Sequence, residues 1–394
     1  MAVGVQATDT NRADAPPRAV FDAEIIRDPL AAEPLWRRIE NDPTGLRTPY
    51  QRFDWTMAYL RASGQMERAR ILVLRDREGR PRILLPLILH REFGLCVARS
   101  VGDTHANYHM PLFAGGDAAA IPIDDITAAL SRAARSAGID VYAFQHQPRV
   151  WEGSSNPFAA GGEAEASDGY GLMLDPDPEA TVRRVFSADA RKKLRSKEKR
   201  LIEAVGPITY RRAETQAEAA RFLAAFYAQK AARFAAMGIA DPYADPAIRD
   251  FLTAAAAGPD PALEIHALCL TETGRVLATF GGAVSERRYS GMMTAFDSDP
   301  EIARFSPGDL LLYHLVRDQA ARGRMGFDLG VGEARYKASI CDETISLVES
   351  IFPITLAGRT YGAVRHGLVR AKRRIKRDPR LYAALQKLRR LRRA

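Results

Sequence analysis

The sequence predicts a duplicated α/β fold in which each half forms a mixed, mainly antiparallel sheet flanked by helices. Three strand-like runs separated by short turns occupy residues 69–101, and the same pattern recurs at residues 264–296. Apolar runs of this length bounded by turn residues are typical of antiparallel meanders. A loop, a helical stretch and one further strand follow each meander, so the two halves share one order of elements.

The turn glycines support the duplication. Gly79 and Gly274 occupy the first turn of each meander, 195 residues apart, and Gly138 and Gly323 end the two helical stretches, 185 residues apart. The difference falls in the loop between meander and helix, where chain length varies most easily. The alternative is that two unrelated α/β domains share these common elements.

Length and composition predict two globular domains with an extension at each end. A chain of 394 residues, 46% hydrophobic and 27% charged, is long enough for two cores. We expect a disordered tail at residues 1–19, an N-terminal domain at 20–170, a C-terminal domain at 171–360 and a basic helical tail at 361–394. Three widely spaced cysteines and an N-terminus without an apolar signal segment predict a cytoplasmic protein.

The positive charge is concentrated at the C-terminal end. Residues 365–394 contain thirteen Lys and Arg and one acid, a net charge of +12; since the whole chain carries +9, the rest carries −3. Two groups of apolar residues at helical spacing interrupt these charges: Val364, Leu368 and Ile375, then Leu381, Leu385 and Leu388. Basic amphipathic helices of this kind bind anionic membranes, and nucleic acid is the alternative partner.

The segment between the halves predicts a long loop followed by a charged helix. Residues 151–170 are rich in Gly, Ser and Ala. Asp177 suits an N-cap and Pro178 the first helical position, so we expect one helical stretch from here to Gly206. Its part at 190–201 holds seven Lys and Arg against one Glu, which indicates either a solvated face or an anion-binding surface.

A glycine pair follows the last strand-like run of the second half. Gly330-Val331-Gly332 lacks the third glycine of the dinucleotide-binding motif, since Arg335 stands there, and a meander precedes it in place of a βαβ unit. The phosphate-loop motif of nucleoside triphosphatases does not occur in the sequence either. We therefore exclude both nucleotide folds.

The loop and helix before this strand offer a different anion site. Ser306 can cap a helix that begins at Pro307, and free backbone N–H groups at a helix start bind phosphate or an oxyanion. A strand, this loop, the helix and a strand ending in Asp-Leu-Gly can together hold a pyrophosphate. They also leave a V-shaped gap between two strands for a thioester.

This region resembles the C-terminal signature of the GNAT-type acyltransferases of the CelD-like (cellulose biosynthesis) family, which are similar to the Fem-type aminoacyl transferases of cell-wall synthesis. The motifs that carry the resemblance are Phe296-Asp297, Ser306-Pro307-Gly308, Phe327–Gly330 and Tyr336-Lys337. The basic helix at 190–201 and an aromatic–Lys–Arg helix at 226–238 also match. The resemblance covers about residues 170–345. It implies two GNAT folds, with acyl-CoA as the donor.

The resemblance also implies a set of site residues. We expect four residues at the helix start to contact the donor: Ser306, Pro307, Gly308 and Leu310. Amide formation from a thioester needs a neutral amine, a donor for the developing oxyanion and a proton acceptor. Asp328 is the candidate proton acceptor, with capping of the next turn as its other role. Tyr336 is the candidate acid toward the thiolate, with packing as the alternative.

Six residues are expected to contact the substrates: Asn107, Tyr108, His109, Lys230, Arg233 and Lys337. His105 and His109 have the spacing of a metal-binding helix, but Pro111 predicts a loop and the sequence suggests no third ligand, so we expect no metal.

We therefore expect a cytoplasmic N-acyltransferase that moves an acyl group from acyl-CoA or an acyl carrier protein to an amine in surface polysaccharide or envelope biosynthesis. Two alternatives stay open. One is an aminoacyl-tRNA-dependent transferase of the Fem type, and the other is a non-catalytic GNAT scaffold that docks on a membrane synthase.

Overall fold

The computed structural model describes residues 20–378 and residue 380. The predicted disordered tail at 1–19 and the second group of leucines, at 381–388, lie outside the described residues. In chain order, the elements up to the middle of the chain are β1 (Asp22–Ile26), α1 (Glu33–Glu40), α2 (Phe53–Ala62), β2 (Ala69–Arg75), β3 (Pro81–Glu92), β4 (Leu95–Ser100), β5 (Leu112–Phe113), α3 (Ile123–Ala137), β6 (Val141–Pro148), β7 (Val150–Trp151), β8 (Ser154–Ser155) and β9 (Glu163–Ala164).

The remaining elements follow a similar order. They are β10 (Gly169–Met173), α4 (Pro178–Val185), α5 (Ala188–Val205), β11 (Ile208–Arg212), α6 (Gln216–Ala236), α7 (Pro246–Ala255), β12 (Leu263–Leu270), β13 (Val276–Val284), β14 (Arg288–Phe296), α8 (Pro300–Ala303), α9 (Pro307–Ala321), β15 (Gly326–Val331), α10 (Arg335–Ile340), β16 (Glu343–Ile345), β17 (Leu347–Pro353) and α11 (Leu356–Arg377).

Two sheets with the same strand order confirm the predicted duplication. The first unit, residues 22–148, contributes β1-β2-β3-β4-β6, and the second unit, residues 208–331, contributes β11-β12-β13-β14-β15. Neighbouring strands are antiparallel in both units, except that β4 is parallel to β6 and β14 is parallel to β15. Two helices follow the first strand of each unit, and one long helix precedes the last.

The sixth strand of each sheet comes from outside the unit that it completes. β17 lies after the second unit in the chain but pairs with β6 of the first, from Leu347 opposite Pro148 to Pro353 opposite Val141. β10 lies between the two units in the chain and pairs with β15 of the second. The first sheet is thus built from two separate chain segments, whereas the strands of the second sheet, β10 to β16, are consecutive in the chain. The domain limits at residues 170 and 360 stay a prediction.

A continuous apolar core joins the two units. The equivalent helices α2 and α7 pack against each other, and the rings of Trp55 and Phe251 meet edge to face at 5.1 Å between centroids. Trp151 and Phe158 are also buried in this core. The segment predicted as a long loop at 151–170 is therefore anchored, and it contains the short strands β7, β8 and β9.

The helical stretch predicted from Asp177 to Gly206 is two helices. Asp177 caps α4 as expected, accepting a hydrogen bond from the backbone N–H of Glu179. The chain is extended at Phe186, whose buried ring packs on Tyr313 at 5.3 Å. The prediction of a single helix is wrong because burial of this ring interrupts the helical pattern.

Leu347→Ala in β17 should destabilise both units together. Truncating a fully buried leucine costs about 2–5 kcal/mol, and Leu347 is 1% exposed. Because the exchanged strands tie the sheets together, we expect one unfolding transition. Urea denaturation followed by tryptophan fluorescence, which reports Trp36, Trp55 and Trp151, should give the same lowered midpoint as far-ultraviolet circular dichroism.

The matched control is Leu356→Ala, since Leu356 is 78% exposed and its truncation should leave the midpoint nearly unchanged. Two separate midpoints for the two probes in the wild-type protein would contradict the expectation that the units unfold together.

Candidate functional site

Strands β14 and β15 separate next to the start of α9 and form the expected gap. They are paired over residues 288–290 and 326–328. Beyond these residues β14 continues to Phe296 and β15 to Val331, with no further pairing between them. Strand edges that stop pairing leave backbone N–H and C=O groups that can bind an extended ligand. The gap therefore offers both space and hydrogen-bonding groups.

Helix α9 begins at the predicted residue, Pro307, but its start is built differently from the expectation. Ser306 has a left-handed backbone (φ 55°) and does not cap the helix. Its Oγ instead accepts a hydrogen bond from Lys197 Nζ at 2.7 Å. The predicted capping role of Ser306 is wrong because Lys197 engages the hydroxyl. The N–H of Gly308 lies in the first turn, where backbone donors lack partners within the helix.

The four residues predicted to contact the donor differ in exposure. Pro307 and Leu310 are buried, whereas Ser306 and Gly308 are partly exposed. A Cβ added at Gly308 would meet the ring of Phe296 at an ordinary contact distance of 3.6 Å. The helix start is therefore open to a ligand at Gly308, while Leu310 supports it from the core.

Basic side chains from α5 and α6 flank the helix start. Lys197 of α5 lies 3.8 Å from Asp309, so the acid in the first turn of α9 has a cation beside it. Arg233 of α6 lies over the ring of Phe296, 5.5 Å from its centroid. The basic surface predicted at 190–201 thus reaches the gap through Lys197, and α6 brings a second cation to the same place.

Lys230 lies one helical turn before Arg233 and is held among aromatic rings. Its Nζ is 5.7 to 5.9 Å from the ring centroids of Phe226, Phe234 and Tyr243. Burial, together with the charge of Arg233, lowers the pKa of Lys230. The rings favour the cation, so Lys230 is fixed in place next to the rim of the gap.

Asp328 is fully buried where the two strands separate. It accepts hydrogen bonds from Arg288 Nε at 3.1 Å, Ser290 Oγ at 2.7 Å, Tyr108 OH at 3.2 Å and the N–H of Gly330 at 3.1 Å. Burial raises the pKa of the Asp328 carboxyl, and the charge of Arg288 opposes that rise. Hydrogen-bond donors of the protein enclose the carboxylate. Their hydrogen bonds connect it to the gap.

Arg288 closes the other side of this cluster. The guanidinium is 1% exposed, donates to Glu343 and lies 4.4 Å from the ring centroid of Trp151. Burial lowers its pKa, but the charges of Asp328 and Glu343 raise it more, so the net shift is upward. Arg288 therefore remains charged and forms ion pairs with the carboxylates of Asp328 and Glu343.

The loop between β4 and β5 connects this cluster to the first unit. Asn107 Nδ2 donates to Tyr50 OH at 2.6 Å and to the carbonyl oxygen of Gly291 at 3.0 Å, the first residue of β14 beyond the paired segment. Tyr50 OH shares a hydrogen bond of 2.8 Å with Ser290 Oγ. A chain of hydrogen bonds therefore runs from the apex of the gap to Asp328.

The other two predicted substrate contacts on this loop face away from the gap. Tyr108 is fully buried, with its hydroxyl on Asp328 and its ring against Trp151. His109 is 3% exposed and its ring lies 5.9 Å from that of His146, in the first unit. Asn107 is thus the one of the three that lines the apex.

Tyr336 and Lys337 lie on the short helix α10 that follows β15. Lys337 is 6% exposed and its Nζ donates to the carbonyl oxygens of Gly330 at 3.1 Å and Val331 at 3.3 Å. Burial lowers the pKa of Lys337 and raises that of Tyr336. Lys337 holds the end of β15, whereas the ring of Tyr336 is 45% exposed and accessible to a ligand.

Three members of the cluster were missed by the sequence analysis: Tyr50, Arg288 and Ser290. Tyr50 and Ser290 are 240 residues apart, and Arg288 and Asp328 are 40 apart, so no local pattern marks either pair. The one available signal is an arginine at the start of an otherwise apolar strand, which predicts a buried partner.

Residues 188–338 match the family model described as Acetyltransferase (GNAT) domain. The matched segment contains both strands of the gap, α9 with its open start, and the flanking helices α5 and α6. The class predicted from the sequence, a GNAT-type N-acyltransferase, is confirmed at the level of this domain. No curated protein matches the chain.

Solved structures of other proteins are similar over most of the chain, FemX and a Bacteroides protein among them. FemX superposes with a TM-score of 0.59 at 12% identity, covering 86% of this chain and 99% of that one. A conserved protein of unknown function from Bacteroides thetaiotaomicron VPI-5482 has a TM-score of 0.52 at 12% identity, covering 83% and 98%. At this identity the likeness shows the fold alone. Membership of the CelD-like group stays a prediction.

Arg288→Met should destabilise the protein, and more so at higher pH. Removing one partner of a buried ion pair costs about 3–5 kcal/mol, because Asp328 is then left charged without its cation. The pKa of Asp328 is already raised in the folded state and rises further without Arg288. Such a group lowers stability as pH rises through its folded pKa. Urea denaturation should show a smaller deficit at pH 5 than at pH 8.

Two controls separate this effect from a general loss of packing. Arg183→Met changes an arginine whose side chain is 60% exposed, and its effect should be within about 0.5 kcal/mol. Adding Asp328→Asn to Arg288→Met should remove the pH dependence. A deficit of equal size at both pH values would show that Asp328 is not the group left uncompensated.

Proposed function

We propose that the protein transfers an acyl group from a thioester, carried by coenzyme A or an acyl carrier protein, to a primary amine. The observation that carries this proposal is the gap between β14 and β15 directly beside the open start of α9. An extended thioester arm can bind along the free edge of β14 while its phosphate lies at the helix start. The GNAT match at 188–338 covers both parts.

The donor phosphate is assigned to the position in front of Gly308. The N–H of Gly308 and the positive end of the dipole of α9 favour an anion there. Lys197 and Arg233 add two charges from separate helices, and Lys197 also offsets Asp309. Gly308 leaves room for the phosphate because it has no side chain.

In the proposed reaction the neutral amine attacks the thioester carbonyl, a C–N bond forms and the C–S bond breaks. A backbone N–H of β14 beyond Ser290 stabilises the oxyanion. Asp328 accepts the amine proton through the hydroxyls of Ser290 and Tyr50, which connect it to the apex. Tyr336, exposed on α10, donates a proton to the departing thiolate.

The acceptor is proposed to be an amine in surface polysaccharide or envelope biosynthesis, such as an amino sugar or a lipid-linked intermediate. Asn107 at the apex and Arg233 at the rim are placed to contact it. Lys337 is less suited to this role than the sequence suggested, because two carbonyl oxygens of β15 already occupy its ammonium group. The resemblance to CelD-like proteins supports the pathway.

Gly308→Glu should lower the affinity for acetyl-CoA at least tenfold, about 1.4 kcal/mol, because it places bulk and negative charge where the phosphate binds. Gly308→Ala is the matched control: its Cβ meets only an ordinary contact with Phe296, so affinity should change little. Isothermal calorimetry on both variants, with urea midpoints to verify folding, provides the measurement.

Unchanged affinity of Gly308→Glu for every donor that binds the wild type would refute this donor site. If the wild type binds aminoacyl-tRNA but no acyl-CoA or acyl carrier protein, the Fem-type alternative replaces the thioester donor. If no donor binds, the scaffold alternative is favoured.

We also propose that the protein works at the cytoplasmic face of a membrane, to which the basic C-terminal tail, residues 361–394, attaches it. No helix among the described residues is long and apolar enough to span a bilayer. Val364 and Leu368 on one face of α11 are 58% and 57% exposed, with Arg370 and Arg374 exposed nearby. Exposed apolar residues among arginines fit an anionic lipid surface better than RNA.

Val364→Asp with Leu368→Asp should reduce flotation with vesicles that contain phosphatidylserine, because it removes the apolar contact and adds negative charge. Met237→Asp with Met325→Asp, at comparably exposed residues elsewhere, is the matched control and should float as the wild type does. Wild-type binding to transfer RNA in a gel shift, without any flotation, would overturn the lipid assignment in favour of nucleic acid.

A further inference from the structure

The first unit contains a cavity at the place that corresponds to the donor gap of the second. Strands β4 and β6 are paired in parallel only at residues 97–98 and 141–142 and then separate, as β14 and β15 do. A cavity of about 260 Å³ opens there, between these strands, β3 and the end of α2. One water molecule needs only about 10–15 Å³ of such space, so the cavity is large enough for a small organic molecule.

Two buried hydrogen-bond acceptors in its wall have no donor among the described residues. His109 Nε2 lies 2.9 Å from the carbonyl oxygen of Asp103, which can only accept, so Nε2 carries the proton and Nδ1 is left with a lone pair. Neither this Nδ1 nor Oε1 of Gln65 has a hydrogen-bond partner. Burial and the neighbouring His146 lower the pKa of His109 to about 3, so the ring stays neutral and keeps this acceptor.

Two charged groups of the wall, Glu92 and Arg99, compensate each other, while Asp103 adds a carboxylate to the lining. Arg99 donates to Glu92 at 2.7 Å and to Tyr361 OH at 2.6 Å, so its charge is not available for an anionic ligand. His90 is kept neutral because burial and the nearby arginines Arg68 and Arg99 lower its pKa. The cavity therefore differs from the basic donor gap, and it suits an uncharged or cationic ligand.

The other residues that line the cavity include polar side chains. Ser100 and Gln145 offer groups that both donate and accept, and Tyr59 also lines the cavity. A ring with several hydroxyl or amino groups matches such a wall, because its O–H or N–H groups can donate to buried acceptors that have lost their hydrogen bonds to water.

We propose that this cavity binds a monosaccharide or amino sugar, whose hydroxyl or amino groups donate to His109 Nδ1 and Gln65 Oε1. His109 is two residues from Asn107, which stands at the apex of the donor gap. A sugar in the cavity would therefore hold the loop that forms the end of that gap. This inference rests on the first unit and is independent of the proposed donor site.

The test is a titration of the wild-type protein with glucosamine and with glucose, followed by the NMR signals of the histidine side chains. A saturable shift of His109 Nδ1 is expected with at least one of the two sugars. Gln65→Met keeps the size of the side chain but removes the acceptor, and should weaken binding at least tenfold. Gln216→Met, at an exposed glutamine, is the matched control and should bind as the wild type does.

A second variant guards against loss of folding. Ala143→Leu fills the cavity from β6 and should abolish sugar binding, while both variants should keep their affinity for acetyl-CoA. The proposal is overturned if neither sugar shifts His109 in the wild type, or if Gln65→Met and Ala143→Leu, shown to be folded, bind sugar as tightly as the wild type.

Discussion

The buried carboxylate of Asp328 is the group around which the two units are arranged. A charge removed from water must be surrounded by donors, and here Arg288 and Ser290 come from the second unit while Tyr108 comes from the first. Tyr108 is part of the loop that carries Asn107. Satisfying Asp328 therefore also fixes Asn107 at the apex of the gap between β14 and β15.

The two units share a topology but differ in the charge of the equivalent helix start. Helix α9 has Gly308 in its first turn and has Lys197 and Arg233 beside it. The corresponding helix α3 has Asp124 and Asp125 in its first turn, which opposes a phosphate. The same strand separation thus has basic side chains beside it in the second unit and a polar cavity in the first. The two units therefore share one fold but have different surfaces where their strands separate.

Features set by neighbouring residues could be predicted from the sequence, and features set by distant ones could not. The repeated meanders, the start of α9 at Pro307 and the strand that carries Asp328 depend on local periodicity and turn residues. The cap at Ser306 failed because Lys197, 109 residues away, engages its hydroxyl. The break at Phe186 depends on a ring of α9. The exchange of β10 and β17 had no local signal, since a short apolar strand does not indicate which sheet it joins.

That exchange affects how the chain is made on the ribosome. The outer edge of β6 is complete when residue 148 emerges, but its partner β17 ends at residue 353, about 200 residues later. At about 5–20 residues per second, this edge waits for tens of seconds. During that time β10, which follows closely, has no sheet of its own to join. An unpaired edge is a template for wrong pairing, so the nascent first unit exposes such a template until β17 has been made.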